Sequence, residues 1–274
     1  MLVKAGAGSW AGERYSGAMK RAISLLLTLL TAQATAANLP QPYRYGFSQD
    51  GAYHLMLTTW TEDGSGFPAA SLRVVRQGVG VVLEDRQVVR EEAATEQATR
   101  DVADGLLNRH AARLKTLGLE QPVPGQVLWA QAVPLPSLAG WPPQEPQTVT
   151  LGRGLPSRVQ SLEVRPQAAY NTCQSPGILP AAPVGLRLKV NGADWFRDST
   201  RLPENRACVA GYRLEAVWQH GDAVAVLLRA YGPGFEGPDA LPLTLLNRLP
   251  AQAAPVQPAS ARPNSLQGTS SAQP

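Results

Sequence analysis

Gly51-Ala52-Tyr53-His54-Leu55-Met56-Leu57, then the turn-rich Asp63-Gly64-Ser65-Gly66-Phe67-Pro68, then Leu72, Val74 and Val75, is the stretch whose reading decides the fold. Tyr53, Leu55 and Leu57 recur two apart, the period of a strand with one buried face. A cluster of Gly, Asp, Ser and Pro between two such runs marks a chain reversal. The same order returns near the end as Gly221-Asp222-Ala223-Val224-Ala225-Val226-Leu227-Leu228, followed by Gly234-Phe235-Glu236-Gly237-Pro238-Asp239. Two strand-loop-strand units, each with a Phe in its loop, predict two hairpins, related by an approximate twofold or set as neighbouring blades.

Outward from these units, Val79 to Val89 supplies two more short apolar runs. The period then changes. From Glu91 onward, Ala94, Ala98, Val102, Leu106, His110, Leu114 and Leu117 fall three or four apart, and Gly118 is placed to end a helix. Prolines break the pattern from Pro122 to Pro146, leaving a crossing loop with a short strand at Val127 to Ala132. Strand patterns resume at Val159 to Val164, Leu186 to Val190, Tyr212 to Trp218, Ala223 to Leu228 and Leu243 to Leu246. The expected class is α+β, mainly antiparallel β-sheet with one principal helix. β-propeller-like blades are the alternative, which needs four or more blades and has no place for a long helix.

The N-terminal region reads as an export signal. Lys20 and Arg21 precede the apolar run Ala22 to Leu30, and Ala34-Thr35-Ala36 is a small-residue cleavage site, with Ala32-Gln33-Ala34 as a second choice. The run is shorter than the ~18 to 20 residues of a membrane span. Because Met19 begins a complete signal, it competes with Met1 as the true start. The expected organisation is therefore an upstream segment and signal peptide at 1–36, a single exported domain at 37–249, and a disordered Pro/Ala/Gln/Ser tail at 250–274. Residues 1–36 hold Lys4, Arg14, Lys20 and Arg21 against Glu13, so 25 − 4 = 21 basic and 21 − 1 = 20 acidic residues remain. A near-neutral exported chain without a basic cluster does not point to nucleic acid. Cys173 and Cys208 are the only cysteines, and outside the cytoplasm they are expected to form a disulfide.

Tyr45-Gly46-Phe47-Ser48-Gln49-Asp50-Gly51-Ala52-Tyr53, Asp63-Gly64-Ser65-Gly66-Phe67-Pro68-Ala69, Cys208-Val209-Ala210-Gly211-Tyr212-Arg213 and Gly234-Phe235-Glu236-Gly237-Pro238-Asp239 together resemble a family of predicted secreted bacterial proteins, domain of unknown function 2259. The resemblance implies export and one intact domain, and it carries no activity to any residue. Phe47-Ser48-Gln49-Asp50-Gly51 also resembles the blade motif of exported propellers typified by the Tol-system translocation protein.

The chemistry-bearing candidates cluster in the two Gly/Phe/Pro loops. Glu62 and Asp63 lie in the first, Glu236 and Asp239 in the second, and turn carbonyls with carboxylates are the ligands that calcium takes. Asp63, Glu236 and Asp239 are thus candidate metal ligands; the competing reading is turn geometry, with Phe67 and Phe235 anchoring their loops on the core. Asp194 and Asp198, flanking Trp195-Phe196, read as another acidic loop. Trp60 and Trp195, each beside acidic residues, and Phe67 and Phe235 with Asp63, Glu236 and Asp239 in the loops are the candidate binding residues, whereas Trp218 continues an apolar strand and is expected in the core. There is no G-x-S-x-G, H-E-x-x-H, Walker or dinucleotide fingerprint. The expected function is an exported, non-catalytic binding or structural module of the cell envelope, secreted or periplasmic, meeting a partner protein or wall polymer without any required cofactor beyond a possible calcium ion. The competing expectation is an extracytoplasmic hydrolase whose Asp63, Glu236 and Asp239 converge on one pocket.

Overall fold

The structure is a computed structural model, and it describes residues 38–90, 93–133, 141, 144–151, 157–169, 173, 179, 182–234 and 238–250. The expected signal peptide, the tail beyond 250, and Phe235 and Glu236 lie outside the described residues. The described chain forms three four-stranded antiparallel sheets. The first is a meander of β1 (Gln41–Phe47), β2 (Tyr53–Thr61), β3 (Pro68–Arg76) and β4 (Gly80–Val88). The middle sheet has the order β12-β11-β10-β5, from β5 (Gln126–Ala130), β10 (Gly211–His220), β11 (Ala223–Pro233) and β12 (Pro238–Arg248). The third is a meander of β6 (Gln147–Thr150), β7 (Ser161–Ala168), β8 (Val184–Val190) and β9 (Ala193–Arg197).

The sheets stack face to face, and the side-chain alternation shows the order. Leu55, Leu57, Leu72 and Val74 pack on Val102, Ala103 and Leu106 of α1 (Glu96–Arg109) and on Leu114 of α2 (Ala111–Thr116). The opposite face of the first sheet offers Met56 and Val75 to Ala223, Ala225 and Leu227 of the middle sheet. Val224, Val226 and Leu228 then point the other way, onto Leu162, Val164, Leu186 and Leu188 of the third sheet. β11 is therefore buried on both faces, which is why Ala223 to Leu228 is an unbroken apolar run and not an alternation. Each Val or Leu buried in this way contributes roughly 1.5–3 kcal/mol of transfer free energy.

The expected class holds: the chain is mainly antiparallel sheet with one main helix. Three stacked four-stranded sheets do resemble blades, but α1 and α2 cover the outer face of the first sheet, so the stack does not run on as a ring there. The two hairpins echoed in sequence sit in different sheets and touch at their starts. Gly51 and Gly221 hold equivalent turns at φ 70° and 59°, and a Cβ on Gly51 would come within 2.8 Å of the Ala223 Cβ.

Several boundaries differ from the expectation. The helix begins later because the Thr95 hydroxyl accepts the Ala98 N–H and caps it there. It breaks at His110, whose Nε2 lies 2.8 Å from Asp85 Oδ2 on β4. Gly118 ends α2 with φ 68°, as its position implied. β1, β6 and β9 are strands where none was expected. In β9, the expected acidic loop, Arg187 of β8 pairs bidentately with Asp194 at 2.7 Å, which lets a strand rich in charge lie on the sheet edge.

Candidate functional site

The first Gly/Phe/Pro loop joins β2 to β3, and the second, whose residues 235–237 lie outside the described residues, leads into β12. Asn38 ties them together. Its backbone N–H donates to Asp239 Oδ1 at 2.9 Å, its side-chain amide donates to Asp239 Oδ2 at 3.2 Å, and its Oδ1 accepts the Asp63 N–H at 2.9 Å. The Ala240 N–H donates to the Asn38 carbonyl at 3.0 Å, so Asn38 also covers the outer edge of β12. Burial, reinforced by the nearby negative charges of Asp63 and Glu62, holds the Asp239 carboxyl above the ordinary carboxylate range, although its hydrogen bonds from Asn38 act the other way.

Beside this junction runs a cleft of about 640 Å³ between β3 and β4 on one side and β12 with the 203–209 segment on the other. Its lining is mixed: Val81, Leu241, Leu243 and Leu245, with Phe196 and Val209 from the far side, stand among charged residues that include Arg73, Glu84, Arg86, Arg206 and Asp239. Val81 and Leu241 stay 46% and 41% exposed, large for aliphatic side chains that face each other across an opening. At the lips, cations are already paired. Arg73 pairs with Glu84 and donates to the Pro242 carbonyl at 2.9 Å, Arg86 pairs with Glu62, and Arg206 grips Asp198 bidentately at 2.6 and 2.8 Å. Asp198 is buried and also accepts the Leu186 N–H at 2.7 Å.

The cleft deepens into a chamber of about 110 Å³ bordered by Thr58, Ser71 and Thr244. Thr244 is 3% exposed, and its hydroxyl has no hydrogen-bond partner. A buried hydroxyl left unpaired costs roughly 1–3 kcal/mol, so its retention at the base of a cleft asks for an explanation.

The backbone along the cleft is also open. Val89 N–H donates to the Pro68 carbonyl, and Ala69 pairs opposite Val88, which turns the N–H and C=O groups of Glu84, Arg86 and Val88 away from β3. β4 is the edge strand of its sheet. On β12, by contrast, Asn38, Arg73 and Pro242 close the outer edge.

The sequence candidates are placed unequally. Asp63 and Asp239 come together on Asn38, and Asp239 lines the cleft. Phe67 is half-buried and lines a separate hollow with Arg86 and Arg90, not the cleft. Trp60 borders the chamber, although it is only 8% exposed; it donates from Nε1 to Glu62 Oε1 at 3.0 Å and carries the Arg86 guanidinium 5.0 Å above its ring. Trp195 is half-buried against the core of the third sheet and does not border the cleft. Among the described residues no three His, Cys, Asp or Glu side chains are grouped to hold a metal ion, so the calcium reading draws no support from them. Arg73, Arg86, Arg206, Leu241 and Thr244 were not legible as site residues; the one signal was Arg73 itself, a charge between Leu72 and Val74 in an apolar strand.

Cys173 and Cys208 form the expected disulfide, and Cys208 borders the cleft. The family model of a predicted secreted protein, a domain of unknown function, matches residues 57–248. The chain belongs to that family. No curated protein and no solved structure matches it. The match covers every wall of the cleft, whereas Asn38, all of β1 and the start of β2 precede it. Family membership and the disulfide both place the protein outside the cytoplasm. No helix among the described residues is long and apolar enough to cross a membrane.

Proposed function

We propose that this exported protein is a non-catalytic binding module that receives an extended segment of an envelope partner protein in the cleft between β3–β4 and β12. The observation that carries the reading is the Thr244 hydroxyl, buried and unpartnered, on a residue that lines both the cleft and its chamber. A partner side chain entering the chamber would satisfy it. The open edge of β4 beside the same cleft offers main-chain donors and acceptors for strand addition, a mode in which backbone bonds give affinity and alternate side chains fill pockets. The charges Glu84, Asp85 and Arg86 on that edge discourage pairing with a second copy of the same chain. Because the lip cations are internally paired, the cleft makes no demand for an anionic ligand.

The hydrolase reading required loop carboxylates to converge on a pocket. Asp63 and Asp239 do converge, but both Asp239 oxygens accept hydrogen bonds from Asn38, which suits a latch better than a pair of carboxyls facing each other across a scissile bond.

A photo-crosslinking side chain at Leu241, compared with one at the exposed Arg113 on α2, tests the reading in living cells. The expected result is a discrete protein adduct from position 241 alone, lost when Thr244→Val removes the hydroxyl without lowering the unfolding temperature. An adduct sensitive to muramidase would make the occupant a wall polymer. Equal adducts from both positions, or none from 241, would sink the cleft as the binding surface.

A further inference from the structure

We propose that the outward face of the third sheet docks on a membrane surface rich in anionic phospholipid. Leu162, Val164, Leu186 and Leu188 of β7 and β8 pack inward on the middle sheet. Alternation along those strands turns Glu163, Arg165, Arg187 and Lys189 to the opposite face. The register sets Arg165 of β7 opposite Arg187 of β8, and Arg187 opposite Arg197 of β9. Neighbouring strands lie about 4.8 Å apart, so the three arginines rise from one row roughly 10 Å long. No run of the sequence shows this row, because each strand contributes one member.

Like charges set directly opposite one another destabilise a sheet, and the acidic residues beside this row do not balance it. Glu163 accepts from Arg165 Nε at 2.8 Å and lies 3.5 Å from Lys189 Nζ, while Asp194 takes Arg187 bidentately. Those hydrogen bonds from Arg165 and Arg187 hold both carboxyls below the ordinary carboxylate range, so both are ionised at neutral pH and already committed. Four cations therefore face two carboxylates, and the exposed Arg197 has no ion-pair partner among the described residues. Arg165 and Arg187 keep 46% and 30% of their side-chain surface open. A guanidinium presents a planar fork of donors that matches phosphate oxygens. Phosphate groups laid out in a plane supply the missing negative charge to all three arginines at once, and a flat sheet face fits a plane better than it fits an enclosed solute. The inference does not depend on what enters the cleft.

The test is co-sedimentation of the exported protein with vesicles of phosphatidylcholine alone and with vesicles in which about one lipid in four is phosphatidylglycerol. A Lys or Arg close to an anionic bilayer changes the partition about fivefold. The expected result is sedimentation with the anionic vesicles only, about fivefold weaker for Arg165→Gln and for Arg197→Gln and unchanged for Arg113→Gln on α2. Binding should be lost at about 1 M salt, where charge is screened beyond about 3 Å. All three side chains are exposed, so the variants should fold as the parent does. Equal sedimentation with neutral vesicles, none with the anionic ones, or the same loss from Arg113→Gln would overturn the proposal. So would binding to soluble polyphosphate without binding to vesicles, which would make the partner a phosphate polymer.

Discussion

His54 lies between the first and middle sheets with no accessible surface, and neither ring nitrogen has a hydrogen-bond partner. The Phe47 ring meets it edge-on with centroids 4.8 Å apart, and Trp218 stacks at 5.9 Å. Burial pushes its pKa down to about 3, so it stays neutral in the fold while the unfolded chain protonates it near pH 6.5. A folded-state value below the unfolded one means that stability is full above pH 6.5 and is lost as pH falls towards 3, on the order of 4 kcal/mol in all. His54→Leu is expected to flatten the fall in denaturation midpoint between pH 6.5 and 4 and to leave the protein at least as stable at pH 7; an unchanged slope would place the acid sensitivity elsewhere. Arg229 shows the opposite treatment of a buried group. It is fully buried, yet it pairs bidentately with Glu215 at 2.5 and 2.8 Å and donates to the Pro40 and Ala240 carbonyls. Glu215→Ala would leave that guanidinium uncompensated and should cost about 3 kcal/mol or more in equilibrium unfolding, unlike removal of an exposed partner such as Glu96, which should cost under ~1 kcal/mol.

At the scale of elements, the Cys173–Cys208 disulfide fastens the wall of the cleft, joining cysteines 35 positions apart in the sequence. In the chain-entropy model such a closure contributes roughly 3–4 kcal/mol. Paired Cys173→Ser and Cys208→Ser substitutions should therefore lower the unfolding midpoint and speed proteolysis within 203–209 before it reaches the middle sheet; cleavage beginning in β11 would contradict this. β2 was legible as a strand because Tyr53, Leu55 and Leu57 recur two apart, although His54, Met56 and Thr58 on its other face are buried as well. β11 was legible as apolar, but its burial on both faces depends on two partner sheets. β9 was hidden because Asp194 and Arg197 make it look like a loop, and only Arg187 on the neighbouring strand reveals why it pairs. Trp60 looked like an exposed ring because nothing in its own segment announces Arg86, 26 residues later, lying over it.

At the scale of the whole molecule, helices and three sheets form four layers, and the cleft opens where the first two sheets part at the edge strands β4 and β12. Its walls come from segments near residues 73–86, 196–209 and 230–245, so no local motif could have announced it. Export and the disulfide follow from the sequence, whereas the site exists only in the stacking. The most direct measurement of the central claim is residue-resolved amide hydrogen exchange of the mature protein in envelope extract and in buffer. Occupation of the cleft by strand addition should slow exchange at Glu84, Arg86 and Val88, whose N–H groups face outward, and leave the already paired Leu83, Asp85 and Gln87 unchanged. Slowing confined to α1 and α2, or no slowing on β4, would contradict it.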